Sequence, residues 1–168
     1  GVLVVISSVN QASNQMKYMI IIFSSLALLL IVSACTPRMV TVQSVQEQNF
    51  RSGLTNDEIG ESIHKAAIAA GWITKEVAPN RILATYNVGR HTVNVVINYT
   101  KNSYHIDYWS TEYMKVYCSE EDKEKGISPT VTTGPDSCPN TEQPAYIHEK
   151  YQEWVNNLNK SIKLALQS

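Results

Sequence analysis

Apolar and polar positions follow three different rhythms along this chain, and each predicts a different kind of element. Residues 19–34 are an uncharged, mostly apolar run, Met-Ile-Ile-Ile-Phe-Ser-Ser-Leu-Ala-Leu-Leu-Leu-Ile-Val-Ser-Ala. After Leu54 the rhythm becomes helical: Ile59, Ile63, Ala66, Ala67 and Ala70 trace one stripe, the spacing of a helix that buries one face. Thr55 and Glu58 predict a reciprocal capping box at its start, with Leu54 and Ile59 as the apolar staple around it. Gly71 predicts its end, in the left-handed conformation that glycine adopts without strain.

From Trp72 the period falls to two. Strands are predicted at 72–77, 81–88, 91–99 and 103–111, separated by Ala78-Pro79-Asn80, Gly89-Arg90 and Lys101-Asn102. Ile82, Ala84, Tyr86 and Val88 share a face, as do Val93, Val95, Ile97 and Tyr99, and then Tyr104, Ile106 and Tyr108. The turns set the register: Tyr86 falls opposite Val93, Ala84 opposite Val95, Ile97 opposite Ile106 and Tyr99 opposite Tyr104. A slip of one residue would turn these apolar sets outward. A last helix is predicted from a cap at Asn140 or Thr141, with Pro144 in its first turn, to about Ala165. Its stripe is Ile147, Tyr151, Trp154, Val155, Leu158 and Ile162. The expected fold is α+β, a four-stranded antiparallel meander with an N-terminal and a C-terminal helix packed on one face.

Composition adds an exclusion. Lys and Arg number 14 against 15 Asp and Glu, a net charge of −1, so the basic footprint of a nucleic-acid binder is missing. Met16 and Lys17 precede the apolar run, and a short basic start, an apolar centre and small residues at the end make a secretory signal peptide. At its close Val32-Ser33-Ala34-Cys35 resembles the bacterial lipobox. In that motif cleavage falls before a cysteine that then carries lipid, and several acyl chains on one residue anchor stably. The expected organisation is therefore an upstream or non-native segment at 1–15, a lipoprotein signal peptide at 16–34, a lipidated tether at 35–53 and a periplasmic domain at 54–168. Thr36, where Asp would mark inner-membrane retention in enterobacteria, directs the expectation to the outer membrane. Within the tether, 39–45 alternates well enough to add an edge strand.

Cys118 and Cys138 remain after lipidation, and in an oxidising compartment they are expected to pair. Two independent thiols, or a metal pair, are the rival reading. The intervening 119–137 is polar and rich in Gly, Pro, Thr and Ser, which predicts a solvated loop.

The polar face of the meander carries the concentrated chemistry. Asn94, Asn98, His105, Asp107, Trp109 and Thr111 are expected to point the same way, with Asn98 beside His105 and Asn94 beside Trp109. His105 and Asp107, two apart on one strand, would let a carboxylate orient an imidazole. No nucleophile completes a triad, because Ser110 is expected on the opposite face. The face therefore reads as a binding surface with an aromatic anchor, against the plainer reading of a wetted sheet. His64, His91, His105 and His148 form no ligand spacing, so no metal and no cofactor are expected. His91 is expected to be hydrogen-bonded at the sheet rim, and His148 to bond across to the sheet. The aromatic core residues are expected to fill space rather than line a ligand pocket.

The Ile147-His148-x-x-Tyr151-x-x-Trp154-Val155-x-Asn157-Leu158 segment resembles the closing part of a group of small, uncharacterised proteobacterial lipoproteins. Gly71-Trp72, Ile82-x-Ala84 and His91-x-x-x-Val95-x-Ile97-x-Tyr99 are similar to the same group. The resemblance spans roughly 54–166 apart from the cysteine loop, and it implies a lipoprotein without implying an activity. The expected function is an outer-membrane-anchored, non-enzymatic module that binds a protein or envelope component. A small-ligand-binding or sensor domain, using the aromatic core or the Trp109 face, is the alternative.

Overall fold

The computed structural model describes residues 38–50, 53–128, 138 and 145–167. The compact unit spans Arg38–Ser168. Cys35 and the expected helix caps Asn140 and Thr141 lie outside the described residues, as does Pro144. Among the described residues, no helix is long and apolar enough to cross a membrane.

The chain runs β1 (Met39–Thr41), β2 (Val45–Asn49), α1 (Asn56–Ala69), β3 (Ile73–Ala78), β4 (Arg81–Val88), β5 (His91–Tyr99), β6 (Ser103–Glu112), β7 (Val116–Tyr117), α2 (Glu120–Lys125), β8 (Tyr146–His148) and α3 (Glu149–Gln167). The fold is α+β with antiparallel sheets, but it is not a four-stranded meander. The meander β3-β4-β5-β6 is extended by β2, which pairs with β6 to give the order β2-β6-β5-β4-β3. A second sheet has the order β1-β8-β7. The residues expected to be a tether thus supply a strand to each sheet. Val45, opposite Ile106, joins the core, and β2 covers a β6 edge that would otherwise present unpaired backbone groups.

Helix α1 begins as its sequence predicts. The Thr55 amide donates to Glu58 Oε2 at 2.8 Å, and the Glu58 amide donates to Thr55 Oγ1 at 3.3 Å. The Thr55 amide and the Thr55 hydroxyl both donate to Glu58 Oε2, and these two bonds hold the Glu58 carboxyl below its usual range. At the other end Gly71 has φ +87°. Its amide donates to the Ile68 carbonyl, and the Trp72 amide donates to the Ala67 carbonyl. This crossed pair closes the helix and turns Trp72 into the core. Helix α3 starts later than expected, at Glu149, because 146–148 is drawn into a strand between β1 and β7. His148 then caps it, its Nδ1 accepting the Lys150 amide at 3.2 Å. The expected bond from His148 across to the large sheet is replaced by this local one.

Both α1 and α3 cover the same face of the large sheet. Ile59, Ile63 and Ala67 from α1, and Tyr151, Val155, Leu158 and Ile162 from α3, join the inner residues Ile82, Val93, Val95, Ile97 and Ile106 in one core. Tyr104 ties α3 to β6, its hydroxyl donating to Asn159 Oδ1 at 2.7 Å. Ser161 Oγ donates to the Ala66 carbonyl at 2.8 Å and joins the two helices. Aromatic rings run through this layer: Trp72 against Tyr86 at 5.1 Å, Tyr86 against Trp154 at 5.4 Å, and Tyr108 against Tyr151 at 5.7 Å.

Gly60 explains how closely α1 approaches the sheet. A Cβ there would lie 2.5 Å from the Tyr99 hydroxyl oxygen and 3.2 Å from its ring carbon Cζ. Overpacking of this kind costs about 1–3 kcal/mol, against roughly 1 kcal/mol gained by replacing glycine in a helix. Gly60→Ala is therefore expected to destabilise the protein in denaturant melts. In a Tyr99→Phe background, which removes the 2.5 Å contact, the same substitution is expected to be neutral or stabilising. Equal effects in the two backgrounds would contradict the packing.

The acidic-basic run after Cys118 is not the loop that its composition predicts. It forms α2, capped by Ser119, whose Oγ accepts the Asp122 amide at 3.1 Å, and closed by Gly126 at φ +69°. Lys123 pairs with Glu120 at 2.9 Å, and Lys125 pairs with Glu121 one turn away. Such local pairs support a helix without any buried face. Lys123 also lies 4.3 Å over the Tyr146 ring, which fastens α2 to β8. Cys118 and Cys138 form a disulfide with their Cα atoms 5.3 Å apart.

Candidate functional site

The face of the large sheet turned away from α1 and α3 carries every residue of the candidate surface except Thr111, and cross-strand pairing arranges them in rows. Arg81, Asn98 and His105 stand side by side on β4, β5 and β6. Leu83, Val96 and Asp107 form the next row, and Thr85, Asn94 and Ser110 a third. The expected neighbours Asn98 and His105 are therefore in contact. Asn98 Nδ2 lies 3.2 Å from His105 Nε2 and 3.3 Å from Asp107 Oδ2, and His105 Nε2 lies 3.3 Å from Asp107 Oδ2. The three polar side chains largely satisfy one another, at half-exposed positions.

The third row differs from the expected one. A β-bulge in β6 falls where Val95 faces Tyr108 while Asn94 faces Ser110, which leaves Trp109 without a cross-strand partner. One extra residue in a strand inverts the facing of everything after it. Ser110 thus joins the polar face, where Asn94 Nδ2 donates to its Oγ at 3.0 Å and Thr85 Oγ1 donates to Asn94 Oδ1 at 2.6 Å. Thr111 turns inward instead, opposite Val93, fully buried and 3.3 Å from the Tyr108 hydroxyl. Both facings correct the sequence expectation, and so does the pairing of Asn94 with Ser110 in place of Trp109. The correction does not create a triad. Ser110 is five residues along β6 from His105, roughly 16 Å of extended strand, and each is engaged with a different asparagine.

The bulge aims Trp109 across the sheet. The Arg81 guanidinium carbon lies 5.5 Å from its ring centroid, within range of a cation–π contact. Between and beneath them is a groove of about 230 Å³, lined by Val77, Ala78, Arg81, Leu83, Val96 and Trp109. Val96 is only 2% exposed although it stands on the open face, because the side chains around the groove roof it. Arg81 Nε is buried and makes no hydrogen bond. An unmade bond at such a donor costs about 1–3 kcal/mol. Sequence reasoning placed Trp109 on this face but missed Arg81, Leu83 and Val96. Alternation assigned all three to the outer face, and that was the available signal.

His64 Nδ1 lies 2.8 Å from Thr74 Oγ1. His91 Nδ1 is buried with no hydrogen-bond partner, so the expected rim bond is not made there. Among the described residues, no group of three His, Cys, Asp or Glu side chains is placed to hold a metal ion.

Comparison with known proteins finds no family model, no curated protein and no solved structure that matches the chain.

Proposed function

We propose that this protein is a lipid-anchored lipoprotein of the bacterial outer membrane, facing the periplasm, whose domain binds a protein or envelope component through its open sheet face. The observation that carries the binding reading is the Trp109 groove: an aromatic ring presented by a bulge beside a cation, over an apolar floor. Tryptophan and arginine side chains carry a disproportionate share of binding energy at recognition surfaces. The lipobox at Cys35 supports the anchoring, and a disulfide supports an oxidising compartment. The engaged His105–Asp107 pair, with no nucleophile beside it among the described residues, favours binding over catalysis. The alternative reading, a small-ligand-binding or sensor domain, is favoured by the small size of the groove.

One experiment in living cells tests both parts of the proposal. A photo-crosslinking residue at position 109 is expected to give a discrete adduct in the lipidated protein. Cys35→Ser is expected to release the protein from the outer-membrane fraction and abolish the adduct. A Cys35→Ser protein that still fractionates with the outer membrane would remove the anchor. A stable, correctly localised protein with no adduct would remove the docking surface.

A further inference from the structure

We infer that the groove beneath Trp109 takes a small organic carboxylate, an apolar ring or short chain ending in a single anionic group; this ligand class rests on the binding role proposed above for the open face. The body of such a ligand is specified by the lining. Val77, Ala78, Leu83, Val96 and the Trp109 ring offer apolar contact and almost no hydrogen bonding. The size is specified by the volume. About 230 Å³ lies below the roughly 300–1,000 Å³ of sites for drug-sized molecules, which suits one ring or a short chain.

The charge is specified by what remains unpaired. Asn98, His105 and Asp107 bond one another, and Thr85, Asn94 and Ser110 do the same. Arg81 stands apart from both sets: among the described residues no carboxylate lies within ion-pair distance of its guanidinium. Lys75, paired across the strands with Leu83, is a second cation on the same face that makes no ion pair among the described residues. A guanidinium beside an aromatic ring can still bind a carboxylate through two parallel N–H hydrogen bonds. An extended peptide added along β3 is a poorer fit. That edge is broken by the irregularity between Glu76 and Ala78 and carries Lys75, followed by Pro79, features that block strand addition.

The test uses the full chain in detergent micelles, labelled with 5-fluorotryptophan. The three tryptophans give separate fluorine resonances, and Trp109→Phe assigns the one in the groove. Titration with 3-phenylpropionate is expected to shift the Trp109 resonance saturably and leave those of Trp72 and Trp154 in place. The neutral isostere 3-phenylpropionamide is expected to bind at least about tenfold more weakly, and 3-phenylpropylamine to have no effect. Arg81→Gln is expected to reduce the carboxylate to the level of the amide, and Arg81→Lys to retain part of the response. Unmoved Trp72 and Trp154 resonances in these variants report an intact core.

Equal titration by carboxylate and amide overturns the proposal, as does movement of all three resonances together, the mark of general partition. A peptide ending in phenylalanine that shifts Trp109 where phenylpropionate does not would assign the groove to a protein partner and overturn the small-ligand site. A crosslinked adduct at position 109 in cells, with no response to the carboxylate, would leave the docking surface standing and remove only this ligand class.

Discussion

Above pH 10 the protein is expected to lose stability steeply, and the loss is expected to come from buried tyrosines. Burial pushes the Tyr104 hydroxyl up to about 12. Burial also raises Tyr151, reinforced by Tyr108 and Asp107, and it raises Tyr99, reinforced by Glu76 and Asp57. In each case the phenol keeps its proton in the folded state at a pH where the unfolded chain has released it. The unfolded state then binds fewer protons than the native state, so unfolding becomes easier as pH rises. The stabilisation is complete below about pH 10 and disappears as pH climbs through each raised folded value. The limiting slope is about 1.4 kcal/mol per pH unit for each tyrosine. Unfolding free energies from denaturant melts between pH 8 and 11.5 would show it. Tyr104→Phe with Tyr151→Phe is expected to lower stability at neutral pH, since the Asn159 bond is lost, and to flatten the alkaline slope. An unchanged slope in the double variant would place the titration elsewhere.

Removal of the disulfide is expected to cost about 3 kcal/mol, the chain-entropy value for a loop of this length. Cys118 and Cys138 are separated by 20 positions, and the bond limits the unfolded chain more than it shapes the folded one. The anchoring is local: Cys118 directly follows β7, and α2 is fastened to β8 by Lys123 over Tyr146. Cys118→Ser with Cys138→Ser is therefore expected to lower the melting temperature by roughly 10 °C while leaving the circular dichroism of the folded state unchanged. Reduction of the native protein should reproduce the shift. Two thiols that alkylate without reduction would contradict the pairing.

The parts of the fold legible in the sequence are those where the information is local. Thr55 and Glu58 define a helix start within four residues, and Gly71 defines its end. Two short turns bring β4, β5 and β6 into the register that alternation predicts, Tyr86 with Val93 and Ile97 with Ile106. The apolar stripe of α3 reads directly from residues 151–162. These features need no distant partner, because turn length and period alone determine which side chains face inward.

The misread features are those in which a distant segment decides. Strand β2 has little apolar content of its own and becomes a strand by completing the edge of β6. Residues 146–148 carry the opening of a helical stripe, yet β1 and β7 flank them and the helix waits until Glu149. Helix α2 has no buried face and so left no periodic signal, although Ser119, Gly126 and its ion pairs were visible as local cues.

The candidate site divides in the same way. By itself the sequence determined the outer face as far as Asp107, since alternation on β5 and β6 brings Asn98 beside His105 with Asp107 two residues along the same strand. Only the tertiary structure decided that β6 contains a bulge. That one added residue turns Ser110 outward, buries Thr111 and leaves Trp109 free to lie toward Arg81 over Val96. The physical reason is that a bulge is a property of the pairing between two strands. It exists only when β5 and β6 are laid together, and nothing in either strand alone announces it.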